Sequence, residues 1–216
     1  MRKEVLFVVA AAGLVLVFLF GTLIYKSAKS DSSAQLAERN RAHLVRMHSP
    51  TLGRDDAPVV IVEFLDPACG TCREFYPLVK RMIAANPDRI RLVLRYAPFH
   101  EGSDKVVAAL AAARKQGKFW PALEALLAAQ EDWVLQHRPQ VARIWKHLEG
   151  LGLNLEQLRT DMNSPEVARM IAQDLDDARV LNVTQTPEFF VNGWPLPTFG
   201  YDPLKELVDK ALASAR

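Results

Sequence analysis

Cys69 and Cys72 are the only two cysteines of the chain, and they enclose Gly70 and Thr71. Two thiols three positions apart suit either reversible dithiol/disulfide chemistry or the binding of a soft metal ion. The flanking residues favour the first. An apolar run, Val59 to Leu65, stops just before Cys69, and a helical-looking stretch, Arg73 to Ala85, opens just after Cys72. A strand that delivers a cysteine to a helix N-terminus puts its sulfur where backbone N–H groups and the helix dipole favour negative charge. The thiolate is the attacking species in disulfide exchange, so this setting prepares Cys69 as a nucleophile. Cys72 falls in the first helical turn, close enough to close a ring with it.

The competing readings lack partners. A closed structural zinc site needs four ligands, and neither a second C-x-x-C nor an H-x₃₋₅-H pair lies near the cysteines. His43 and His48 have a suitable spacing but sit in a polar segment ahead of the domain. A purely structural disulfide across so short a loop restrains the unfolded chain little.

A length of 216 residues suggests one folded domain with an extra segment, and a hydrophobic half of the residues can supply its core. The net charge of +2 is too small, and the basic residues too scattered, to imply a nucleic-acid partner. With no other thiol on the chain, electrons must pass between the pair and another molecule.

Val5 to Tyr25 is a stretch of 21 residues without a charge. At ~1.5 Å per residue it spans roughly the ~30 Å hydrocarbon core of a bilayer. It exceeds the ~7–15 apolar residues of a cleaved signal peptide, and no small-x-small site follows it directly. The expectation is an uncleaved N-terminal anchor over residues 1–25, in the membrane through residues 5–25. Arg2 and Lys3 on one side nearly balance Lys26 and Lys29 on the other. A short N-terminus before a large domain places that domain outside, where disulfides persist. The site is therefore expected in the periplasm or extracytoplasmic space, on a single-pass protein of a bacterial inner membrane. Residues 26–48 read as a polar tether, in which Leu36, Asn40, Leu44 and Met47 fall on one helical face.

The elements that must position the thiols follow. Val59 to Leu65 reads as a buried strand. After the helix and a turn at Asn86-Pro87-Asp88, Ile90 to Tyr96 reads as a second, parallel strand. From Gly102 to about Leu181 the pattern is wholly helical, with Pro121, Pro139 and Pro165 each suited to a first helical position. Val141, Ile144, Trp145 and Leu148 make one stripe, ended by Gly150. Asn154 with Gln157 resembles a capping box. Strand character returns at Glu188 to Val191, Asn192-Gly193 is a hairpin turn, and Trp194 to Phe199 can return as an antiparallel edge. Leu204 to Ala213 is a final amphipathic helix.

This order, with the C-x-x-C after the first strong strand and Thr186-Pro187-Glu188-Phe189-Phe190-Val191-Asn192-Gly193 before the hairpin, resembles the thioredoxin superfamily. It is most similar to the DsbA-like branch, in which a helical domain interrupts a thioredoxin fold. The resemblance covers roughly Ser49 to Ala213. It implies an α/β thioredoxin-like fold over residues 49–216, with a helical insertion at about 102–182 and one transmembrane helix before it. It also implies that Cys69 is the exposed nucleophile, Cys72 the buried resolving thiol and Pro187 a cis-proline that, with Thr186, lets substrate backbone pair beside the disulfide. Glu63, six residues before Cys69, matches a buried acid beneath the active site. There it could take a proton from Cys72 through water, or pair with Arg95 on the neighbouring strand. Gly70-Thr71 departs from the strong oxidants of this branch, which carry a His between the cysteines. Without that cation the couple is expected to be less oxidising.

The function expected is a thiol–disulfide oxidoreductase that needs no cofactor and exchanges disulfides with protein substrates. A membrane or soluble redox partner would recycle its cysteine pair. Two alternatives stand beside it: a specialised thiol reductase for a metal- or haem-receiving protein, and a non-enzymatic Cu(I) carrier using Cys69 and Cys72.

Overall fold

The structure, a computed structural model, describes residues 35–215 together with Leu14, Phe18, Phe20 and Thr22. Apart from those four positions the expected anchor lies outside the described residues. Among the described residues no helix is long and apolar enough to cross a membrane.

Residues 35–44 are helical (α1) and lead into a short strand, Thr51–Leu52 (β1). The core of the fold is then a strand–helix–strand unit: Val59–Leu65 (β2), Gly70–Ala85 (α2) and Ile90–Tyr96 (β3). Six helices intervene: Ser103–Lys115 (α3), Phe119–Ala128 (α4), Gln130–Trp133 (α5), Val141–Leu148 (α6), Leu155–Asp161 (α7) and Pro165–Val180 (α8). A two-stranded hairpin, Val134–Leu135 (β4) with Arg138–Pro139 (β5), interrupts them. The chain ends with Glu188–Val191 (β6), Trp194–Pro195 (β7) and Tyr201–Ser214 (α9).

The main sheet runs β1-β3-β2-β6-β7, with β2 parallel to β3 and antiparallel to β6. Side chains alternate across it, so each face has its own cover. Ile61, Leu92, Phe189 and Val191 pack under α2 and α9 with Phe75, Val79, Leu204 and Val208. Val62, Phe64, Val93 and Phe190 pack on the other face with Leu44 of α1 and Ala178 of α8.

The second face also buries a cation. Arg95 is fully inaccessible and bonds Asp174 at 2.6 Å and Asp177 at 2.7 Å, both on α8. His48 reaches the same Asp174 at 2.6 Å, while His43 and Arg46 reach Asp177 at 2.8 and 2.7 Å. The two histidines ahead of the domain are thus carboxylate partners that dock residues 43–48 against β3 and α8. Within the expected tether, residues 35–48 pack on the domain in a phase different from the expected stripe. Ala37 and Leu44 are buried, whereas Leu36 and Met47 are exposed. Asn40 donates to the carbonyl of Gly193 at 3.0 Å. A side chain at Gly193 would meet the Ala37 carbonyl at 2.4 Å, and the φ of +90° there also demands glycine.

Three further expectations need correction. The 102–181 region is not wholly helical, because Gln136 and His137 both take positive φ and turn the β4–β5 hairpin without the usual Asn-Gly signal. Pro139 therefore lies in β5 rather than at a helix start, while Pro165 does open α8 behind the Ser164 cap. The return strand is Trp194–Pro195, shorter than 194–199, since a second proline two residues on cannot donate to a ladder.

Candidate active site

β2 ends at Leu65 and the chain turns at once through Asp66-Pro67-Ala68. The fully buried Asp66 carboxylate organises this turn. It accepts the Ala68 N–H, the His100 N–H and the His100 ring Nδ1, each at 2.8 Å, and also the Ser103 hydroxyl. The Asp66 carbonyl accepts the Cys69 N–H at 3.0 Å. The turn leaves Cys69 as the N-cap of α2, with extended φ and ψ of −77° and 121°. Gly70 is exposed, Thr71 half-buried and Cys72 sealed inside.

Cys69 meets the loop before β6, although 117 residues separate them in sequence: its thiol donates to the Thr186 carbonyl at 3.2 Å. Thr186-Pro187 is a cis peptide bond, with Pro187 buried. The structure thus brings Cys69, Cys72, Thr186 and Pro187 together.

The two thiols are both free and buried but sit in opposite electrostatic settings. Hydrogen bonding from the Cys72 thiol, then from the Thr186 side chain and the backbone N–H groups of Cys72 and Thr71, draws Cys69 down to about 5, against the opposing effect of burial. Burial pushes Cys72 well above an ordinary thiol, and its hydrogen bond to Cys69 and the nearby Glu63 charge add to that. One sulfur is held ready as thiolate and its neighbour is held as thiol.

Glu63 lies on the same face of β2 as this pair and is fully buried. Among the described residues neither of its carboxylate oxygens has a hydrogen-bond partner. Burial, followed by the negative charge of Cys69, pushes it up to about 8. The expected alternative of an ion pair with Arg95 is not formed. Glu63 stands opposite Leu94, and Arg95 is the next residue on β3, so alternation sends its guanidinium to the other face.

Several residues of the site escaped the sequence reading. Asp66 was accessible to it, since an Asp directly after a strand and before Pro signals a turn capped by its own side chain. His100 and Ser103, from the start of the helical insert, carried no such signal. Neither did Gln130, whose amide donates to the carbonyls of Pro67 at 2.8 Å and Cys69 at 2.9 Å. Among the described residues no group of three or more His, Cys, Asp or Glu side chains could hold a metal ion.

Comparison with known proteins agrees with this geometry. Residues 46–210 match the model of a family described as thioredoxin. A solved thioredoxin-like oxidoreductase from Silicibacter pomeroyi is 34% identical, with a TM-score of 0.67 over 77% of this chain and 93% of that one. A probable disulfide bond formation protein D from Bacillus anthracis is 32% identical, over 75% of this chain and 77% of that protein. A Na⁺/H⁺ antiporter, NhaA 3 of Salinispora tropica, is 34% identical over 76% of this chain, which spans only 25% of the antiporter's length. Of these, the two of similar length are thus described as a thioredoxin-like oxidoreductase and a probable disulfide bond formation protein. By its C-x-x-C at the start of α2, its helices inserted between β3 and β6, and this match across most of its length, the chain belongs to the thioredoxin family as a DsbA-like protein.

Proposed function

We propose that the protein is an extracytoplasmic thiol–disulfide oxidoreductase that exchanges disulfides with protein substrates through Cys69 and Cys72. The observation that carries this reading is the placement of the two thiols: Cys69 caps α2 beside the Thr186 carbonyl at 3.2 Å, and Cys72 is sealed in the first turn behind it, which draws the first thiol down and pushes the second up. Exchange needs one thiolate to attack and a second thiol that stays protonated until its turn.

In the reducing direction the Cys69 thiolate attacks one sulfur of a substrate disulfide. A mixed disulfide forms and the other substrate sulfur leaves as thiolate. Cys72 then gives up its proton, attacks the Cys69 sulfur and expels the second substrate thiolate. The substrate gains two electrons and the protein closes its disulfide. In the oxidising direction a substrate thiolate attacks Cys69 of the disulfide, and Cys72 leaves and is protonated; a second substrate thiolate then attacks the first substrate sulfur, closing the substrate disulfide and expelling Cys69 as thiolate. Glu63, unpartnered and near neutral titration, suits the role of giving and taking the Cys72 proton through water. The Thr186 carbonyl beside Cys69, with Pro187 next to it, offers backbone pairing to an extended substrate segment.

Two sequence features support the setting. The uncharged stretch 5–25 is long enough to anchor the chain in an inner membrane, and a redox pair without further thiols needs an outside partner to recycle it. Thiol trapping in whole cells tests the reading. Cys72→Ala should accumulate mixed disulfides between Cys69 and envelope proteins, and Cys69→Ala should accumulate none. Equal trapping by both variants, or none by either, contradicts it.

A further inference from the structure

Cysteine is not among the residues that cap helices well by themselves. As a neutral thiol Cys69 makes no cap hydrogen bond. Its cap conformation must be held from elsewhere, and Gln130 is the group placed to hold it. Gln130 is the first residue of α5 and is 4% exposed. Its single side-chain NH₂ group is spent on two backbone acceptors of the cysteine loop, the carbonyls of Pro67 at 2.8 Å and Cys69 at 2.9 Å. The Cys69 carbonyl has a second donor, the Arg73 N–H at 3.2 Å, in the helical bond of α2.

We propose that Gln130 is a positioning residue for the redox centre, through which the helical insert fixes Cys69 in the N-cap geometry that stabilises its thiolate. The role rests on the exchange reading above. A peptide unit is planar, so pinning the Cys69 carbonyl fixes the Cys69–Gly70 plane and with it the ψ of Cys69 at 121°. At that angle Cys69 keeps its N-cap place at the first turn of α2, where the N–H groups of Thr71 and Cys72 favour its thiolate. A turn of Cys69 towards helical ψ would extend α2 by one residue and swing the sulfur off those donors. The Pro67 anchor opposes that turn from the other side of the loop. Gln130 touches neither the substrate nor the reacting sulfur, so its contribution is geometric. Asp66 holds the same loop through the Ala68 N–H, and its other partners, His100 and Ser103, also come from the start of the insert. Donors from the insert thus grip both ends of the turn.

The test is the pH titration of the Cys69 thiolate, read by ultraviolet absorbance of the reduced full-length protein. Gln130→Met keeps the length and removes both donors, and it should raise the Cys69 midpoint by about one unit, a tenfold loss of thiolate below the midpoint. Gln130→Glu should raise it further, because a carboxylate repels both carbonyls. In the wild type, the Gln130 side-chain NH₂ resonances should shift with the same midpoint as Cys69, a readout that does not depend on the variants folding. A Gln130→Met protein that melts earlier but keeps the wild-type midpoint, or wild-type amide resonances that do not follow Cys69, overturns the role. A wild-type midpoint already at the ordinary thiol value would instead overturn the exchange reading on which it rests.

Discussion

Glu63 and Arg95 stand on adjacent strands, one residue out of register, and never meet. Glu63 faces α2 and the cysteine pair with both oxygens unpartnered, while Arg95 faces α8 and is fully occupied by Asp174 and Asp177. An ion pair would have settled Glu63 as a permanent carboxylate. Its absence leaves a buried acid that burial and the Cys69 charge push up to about 8.

Glu63→Gln should remove a pH dependence of stability and slow the resolving step of exchange. The sign follows from linkage. Below pH ~4.5 the folded and unfolded chains both keep this proton. Above it the unfolded chain releases the proton while the folded one holds it, so stability falls as pH rises towards about 8. The oxidised domain is the form to measure, because Cys69 then cannot titrate. There burial alone still raises Glu63, so the wild type should lose stability as pH rises from 5 to 7.5, and Glu63→Gln should be flat. Chemical denaturation across this range checks it. Parallel profiles for the two proteins, or resolving rates that stay equal at every pH, would remove Glu63 from the mechanism.

Arg95→Met should be among the most damaging single changes outside the cysteines. It leaves two buried carboxylates without their shared cation, a loss of about 3–5 kcal/mol. Arg46→Met removes a partner that is 30% exposed and should cost about 1 kcal/mol or less. Burial works against the Asp177 charge, yet hydrogen bonds from Arg46, His43 and Arg95 hold it well below the usual carboxylate range. Its contribution is therefore complete above pH ~4 and is lost as acid protonates it. Urea midpoints of the two variants at neutral pH should differ clearly. Equal midpoints would mean that the network contributes little.

The division between what sequence revealed and what it concealed is physical. β2, β3, α2 and the Asn192-Gly193 turn were legible because apolar periodicity and turn chemistry are local. So were Cys69 and Cys72, whose meaning depends on the elements beside them. The docking of residues 35–48 was not legible, since it rests on His43, Arg46 and His48 meeting Asp174 and Asp177 about 130 residues away. Arg95 could be placed on β3 but not on a face without the register. Gln130 and His100 are single polar residues in the insert, and only the folded loop reveals what they bond.

The reduction potential should lie between those of DsbA (~−120 mV) and thioredoxin (~−270 mV), at roughly −150 to −230 mV. The Cys69 thiolate is stabilised by hydrogen bonds from Cys72, Thr186 and the backbone, with no cationic side chain between the cysteines. Thr71→His would add a charge-assisted contact to the reduced form. It should raise the potential by tens of millivolts, at ~30 mV per ~1.4 kcal/mol for two electrons, and lower the Cys69 midpoint with it. Equilibration with glutathione gives the potential, and thiolate absorbance of the reduced protein against pH gives the midpoint. A wild type as oxidising as DsbA, or a Thr71→His protein with neither quantity changed, would assign the poise to other groups.

The central claim is that one thiol of the pair is charged and the other silent, and alkylation of the reduced protein against pH tests it most directly. Iodoacetamide, followed by peptide mapping, should label Cys69 with a midpoint about 5 and leave Cys72 unmodified through neutral pH. Preferential labelling of Cys72, or a Cys69 midpoint near the ordinary thiol value of ~8.5, would contradict the account.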